Sequence, residues 1–164
     1  MRLKVLSRAA CAAVLTLLSV QGGALYAAPP PSASSEVEGL WLSQDKDGIF
    51  DVKPCDGAHG GEVCGWLVGL DYVEHVPRDV TGRSECHLMM MTDFAPLDGQ
   101  KWQGHILDPR TGHMYQARIW NEGSNTLKLR GFVLGVPLLG ETQTWTRYEG
   151  PPVDTECHMV KMPQ

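Results

Sequence analysis

The chain is 164 residues long, and its first 27 residues read as an export signal. Without Arg2, Lys4 and Arg8 the remainder holds 11 basic and 19 acidic residues, a net charge of −8. A length of about 137 residues suits one domain around one core and excludes a two-domain reading. An acidic chain with no basic run gives nucleic acid no expected place as a partner and makes docking on an anionic membrane a poor fit.

The amino terminus supplies the basic start, an apolar run from Ala9 to Val20, and small residues at Ala24, Ala27 and Ala28. This is the pattern of a signal peptide cleaved near Ala27 or Ala28, and it predicts a periplasmic or secreted product. The apolar run is about 12 residues, too short for a spanning helix, and no later segment is apolar enough to cross, so the mature protein is expected to have no membrane span. Cys11 lies inside that run rather than at its end, which argues against a lipid anchor. Residues 28–36, opening with Pro29-Pro30-Pro31, form a stiff, solvated leader. Residues 37–164 are then a single domain with a C-terminal tail.

From Glu36 onward, short apolar alternation is punctuated by Gly, Pro, Asn and Asp, with no sustained helical period. Eight strands are predicted: Gly39 to Ser43, Gly48 to Pro54, Val63 to Asp71, His87 to Thr92, Trp102 to Leu107, His113 to Trp120, Thr126 to Val133 and Glu141 to Tyr148. The segment Asp108-Pro109-Arg110-Thr111-Gly112 has Pro for a fixed φ, Asp to cap the turn and Gly for a positive φ, so its flanking strands are antiparallel neighbours. Asp45 to Gly48 and Asn121 to Asn125 act in the same way, which makes a meander. Two free edges would template aggregation, and closing the sheet removes them. The predicted fold is therefore an all-β, eight-stranded antiparallel barrel, with room for side chains or one small ligand. The charged segment from Tyr72 to Glu85 reads as an irregular loop or a single helical turn that could cap a barrel mouth or decorate the surface.

Setting Cys11 aside, Cys55, Cys64, Cys86 and Cys157 are an even set for an oxidising compartment. The turn-rich separation of Cys55 from Cys64 favours a local bridge, leaving Cys86 for Cys157. Chain entropy would make these worth about 2.7 and 4.4 kcal/mol. The competing reading is zinc held by Cys86, His87, Cys157 and His158, but adjacent ligands crowd one another and the spacing fits no common zinc module.

With these elements in place, Gly39-Leu40-Trp41, Cys64-Gly65, Gly104 to Pro109 with Gly112 and Tyr115, Leu127 to Gly131 and Thr142 to Arg147 together resemble the bacterial exported family numbered 2147 among domains of unknown function. The resemblance covers about Glu38 to Arg147. It implies a small lipocalin-like barrel of the cell envelope with no established activity. Leu107, where an aromatic residue is more typical, the loop from Tyr72 to Glu85 and the tail carrying Cys157 depart from the pattern. At the level of the fold, Gly39-Leu40-Trp41 and Arg147 are similar to the G-x-W and the late Arg of lipocalins. A guanidinium stacked on the Trp41 indole would close one barrel end.

Ser84, His87 and Asp93 lack the context that activates a nucleophile, and Asp93 and Asp98 read as solvated loop residues rather than an acid and base pair. His105 and His113 flank one turn but supply only two ligands. Met89, Met90 and Met91, with Met159 and Met162, raise copper(I), yet consecutive strand residues face opposite ways, which favours core packing. No catalytic residue, metal or cofactor is therefore assigned. Trp66, Tyr115 and Trp145 are the expected aromatic wall of a ligand pocket, with His113 as a polar contact near the mouth. The leading reading is a non-enzymatic binding protein for a small, partly apolar ligand. The alternatives are an envelope accessory or protein-interaction module with a filled barrel, and an envelope enzyme; no protein partner can be named.

Overall fold

The computed structural model describes residues 36–57, 61–98 and 100–159. The signal peptide and most of the leader, the tip of the Cys55 to Cys64 turn, and Met162 lie outside the described residues. Eight strands form a closed barrel in sequence order: β1 Gly39–Leu42, β2 Gly48–Pro54, β3 Val63–Leu70, β4 Met89–Leu97, β5 Lys101–Leu107, β6 Met114–Asn121, β7 Thr126–Phe132 and β8 Gly140–Arg147. Every pairing is antiparallel, and β8 returns to β1 through Trp41 opposite Arg147 and Leu42 opposite Thr146.

The turns carry out the chemistry their residues suggest. Asp108 accepts from the Arg110 amide on Oδ1 at 3.0 Å and from the Gly112 amide on its carbonyl at 2.7 Å, while Gly112 takes a φ of 73°. At the first hairpin, Ser43 Oγ accepts from the Gly48 amide at 3.0 Å and donates to Asp47 Oδ1 at 2.7 Å.

Inward residues alternate as a half-buried sheet requires. Trp102, Gly104 and Ile106 on β5, Tyr115, Ala117 and Ile119 on β6, Leu127 and Leu129 on β7, and Gln143 and Trp145 on β8 share the inner face by register. Gly104 is needed there, since a Cβ would stand 2.8 Å from the Phe94 ring.

The fourth strand corrects the expected boundaries. Instead of ending at Thr92, β4 runs to Leu97, because a bulge with Asp93 at a φ of 56° absorbs one residue and turns Phe94 into the core with no exposed surface. Register shifts between β3 and β4 also let both Met90 and Met91 bury, while Met89 stays on the surface.

The two ends differ. At one, the Arg147 guanidinium lies 4.1 Å over the Trp41 ring and donates to the carbonyls of Ser124, Glu38 and Glu36. Trp41 Nε1 in turn donates to the Val37 carbonyl at 2.8 Å. Gly39, at a φ of 127°, passes so close to Arg147 Nη1 that a side chain there would be strained and would displace the guanidinium. A fully buried indole and three backbone carbonyls thus plug this end.

Disulfides join Cys55 to Cys64 and Cys86 to Cys157. The second pins the tail beside β3, where the Leu70 amide donates to the Cys157 carbonyl at 2.7 Å. Two disulfides fit an oxidising, extracytoplasmic environment. Among the described residues, no helix is long and apolar enough to cross a membrane.

A candidate ligand site at the open end of the barrel

Opposite the Trp41 plug, the barrel opens into two adjoining hollows of about 770 and 620 Å³. They share Ile106, Pro109, Arg110 and Gln143, which makes them one divided mouth. The larger runs between the inner faces of β5 to β8, over Ile106, Leu129 and Gly131, and out to Leu138 and Leu139. The smaller has Phe50, Leu67, Met90 and Trp145 as its apolar floor, with Pro77 and Glu85 at one side.

The loop after β3 forms that side. Its shape depends on Asp79, whose carboxylate accepts from the Thr81 hydroxyl at 2.7 Å, from the Thr81 and Arg83 amides at 2.9 Å, and from Arg83 Nε at 2.7 Å. Burial alone would raise the Asp79 pKa, but these hydrogen bonds outweigh it and hold the carboxyl at about 2. The Val80 amide donates to the Pro109 carbonyl at 2.8 Å, fastening the loop to the rim turn. Glu85, which faces the hollow, is pushed above the usual carboxylate range by burial and then by Asp79, with Arg110 pulling the other way.

The expected pocket residues divide. Tyr115 is half-buried in the wall of the larger hollow. Trp145, 1% exposed, lies at the base of the smaller, its ring stacked on Phe50 at 4.3 Å. His113 meets Tyr115 edge-on at 6.2 Å but stays on the exposed rim and lines neither hollow.

Trp66 requires correction: it stands opposite Asp51 under the Lys53 ammonium, 4.6 Å from its ring centre, on the outside of the barrel. The reason is parity, since Val52 and Phe50 fill the core and place Gly65 and Leu67, not Trp66, on the inner face. The sequence reading missed Gln143, although it is two residues from Trp145 on the same strand and so had to share its face.

The other clusters do not assemble into chemistry. Cys86, His87 and Cys157 place their ligand atoms within 4.8 Å of one another, but the two sulfurs are bonded and offer no thiolate. His158, the fourth proposed zinc ligand, turns its Nε2 to the Tyr72 carbonyl at 3.1 Å. His105 faces outward between inward Gly104 and Ile106, away from His113 and Tyr115. Among the described residues, no hydrogen bond connects Ser84, His87 and Asp93; the Ser84 hydroxyl accepts from the Cys86 amide at 3.2 Å.

A closed antiparallel eight-stranded barrel, plugged at one end and hollow at the other, has the lipocalin-like architecture. Among solved structures the chain is similar to protein HP1028 from the human pathogen Helicobacter pylori, described as belonging to the lipocalin family, with a TM-score of 0.59, 15% sequence identity, and coverage of 68% of this chain and 82% of that one. At that identity the likeness shows the fold alone. Residues 39–147 match the family described as "Uncharacterized protein conserved in bacteria (DUF2147)", and the chain belongs to that family. No curated protein matches it in sequence.

Proposed function

We propose that this is an exported, non-enzymatic binding protein that holds one small, partly apolar molecule in the open end of its barrel. The lining of the mouth carries this reading: the recess at the Arg147 end, about 740 Å³, is bordered by Glu36, Gln100, Asn121, Ser124, Asn125 and Arg147, whereas the mouth is lined by inward side chains of the barrel. Ile106, Leu129 and Phe50 line this open recess beside a handful of polar groups, the usual composition of a small-molecule pocket. Export rests on the signal-like residues 1–27 together with the two disulfides.

One observation favours a second reading, an accessory surface that engages another protein. The loop after β7 shows Leu134 and Leu138 at 89% and 88% exposure, an apolar feature uncommon on a soluble surface.

Titration with the dye anilinonaphthalene sulfonate separates the two. A pocket gives saturable, one-to-one binding that is lost when Gly131→Leu fills the larger hollow and persists in Leu134→Ser. Binding that ignores Gly131→Leu but disappears in Leu134→Ser would replace the pocket with the surface.

A further inference from the structure

The polar groups inside the mouth also select the chemistry of the occupant, an inference that rests on the pocket reading above. An indole N–H can only donate, and Trp145 Nε1 donates to Gln143 Oε1 at 2.8 Å. With Trp145 fixed by its stack on Phe50, the Gln143 amide cannot turn over without opposing two donors. Its oxygen is therefore used, and the end left for the hollow is the NH₂ group. Among the described residues neither that NH₂ nor the Tyr115 hydroxyl has a hydrogen-bond partner, and both groups belong to residues lining the larger hollow.

The two groups sit at different depths: Tyr115, opposite Ile106, is beside the rim turn, and Gln143, opposite Leu129, lies further in. Along β8, Gln143 lies between buried Trp145 below and exposed Glu141 at the rim, while the rim beyond carries Leu138 and Leu139. A donor deep inside and apolar side chains at the lip suit an amphiphile that enters head first. The rim also sets the charge of the head. In the larger hollow Asp108 and Glu141 face a single cation, Arg110, which stands 3.6 Å from Asp108, so a ligand carboxylate, the third there, would meet excess negative charge.

We propose that the site takes a neutral acyl compound, an ester or amide, whose carbonyl oxygen accepts from Gln143 Nε2, with the Tyr115 hydroxyl as a second donor nearer the rim. Its alkyl chain runs outward over Leu138 and Leu139. The exposed leucines of that loop then have a role as the cover of the chain.

Calorimetric titration of the whole exported domain with methyl decanoate, N-methyl decanamide, decanoate and decylammonium tests this. The ester and amide should bind most tightly, in an order that tells which is preferred, and decylammonium should bind at least tenfold more weakly. Gln143→Glu keeps the acceptor for Trp145 Nε1, so the fold is retained, but it removes both donors. It should weaken the ester about tenfold and strengthen the ammonium. Tyr115→Phe should cost about threefold. Leu138→Ser should weaken methyl decanoate while leaving methyl butanoate unchanged, a difference that a purely structural role for Leu138 would not produce. Equal binding of ester and ammonium, or an order unchanged in Gln143→Glu, would overturn the head-first acyl assignment and leave the pocket standing. If none of the four compounds binds, the pocket reading fails as well.

Discussion

Filling the hollow from within tests the site without disturbing its frame. Gly131 lies on the inner face of β7, opposite Ala117 on one side and Glu141 on the other. Its φ is not in the left-handed region, and a Cβ there would find only Ile106 Cγ2, at 4.0 Å. A leucine at this position enters open space in place of strained contacts. Replacing glycine within a strand gains up to about 1 kcal/mol of backbone preference. Each newly covered CH₂ adds about 0.8 kcal/mol when fully buried, and in a hollow open on one side about half of that is realised. Ordering the leucine side chain costs about 0.5 to 1 kcal/mol, so Gly131→Leu should be more stable by about 1 to 2 kcal/mol, a rise in Tm of about 3 to 8 °C for a domain of this size. The same side chain takes the volume an alkyl chain would use, so dye or ester affinity should fall at least tenfold. Differential scanning calorimetry and titration on the same sample measure both. A variant less stable than the parent would mean that the interior is packed at this point, and unchanged affinity would place the ligand elsewhere.

Three further outcomes follow from the frame around the site. Arg147→Met keeps the stem but loses the contact with Trp41 and three carbonyl partners, and should cost about 2 to 4 kcal/mol in urea unfolding with little change in dye affinity. The double variant Cys86→Ala with Cys157→Ala opens a bridge spanning 71 residues and should cost up to about 4.4 kcal/mol, against about 2.7 for the bridge spanning 9. The reverse order would show that the tail contributes little. Asp79 has a folded pKa of about 2, below the usual 3.8, so its contribution to the loop is complete above about pH 4 and is lost as the pH falls towards 2. Carboxyl NMR that places its titration near 4 would remove the hydrogen-bond hub from the account.

Turn chemistry and alternation made the barrel legible in the sequence. The Asp108 to Gly112 and Asn121 to Asn125 segments announce hairpins through residues whose backbone preferences are local, and strands six and seven show their inner faces as Tyr115, Ala117 and Ile119 and as Leu127 and Leu129. Bulges were not legible. The β4 bulge depends on Phe94 reaching the space left by Gly104, a contact between strands that no local pattern encodes, and Pro96 there suggests a break where the strand in fact continues.

The site was legible only where parity was unbroken. Tyr115 and Trp145 follow from alternation within their strands, while only its aromatic character points Trp66 inward, and the register of β3 on β2 places it beside Asp51 and Lys53. Gln143 carries no hydrophobic signal, and its importance depends on a hydrogen bond from a buried indole that only the folded strand creates. The hollow itself comes from a glycine at 131 that leaves space unfilled, and sequence patterns do not show empty volume.

Native mass spectrometry of the protein purified without detergent from the cells that export it tests the central claim most directly. The account predicts a population heavier than the polypeptide with two disulfides by one small molecule, released on mild activation and missing from Gly131→Leu. A mass equal to the bare chain in both proteins, with no uptake of any of the decyl compounds, would contradict it.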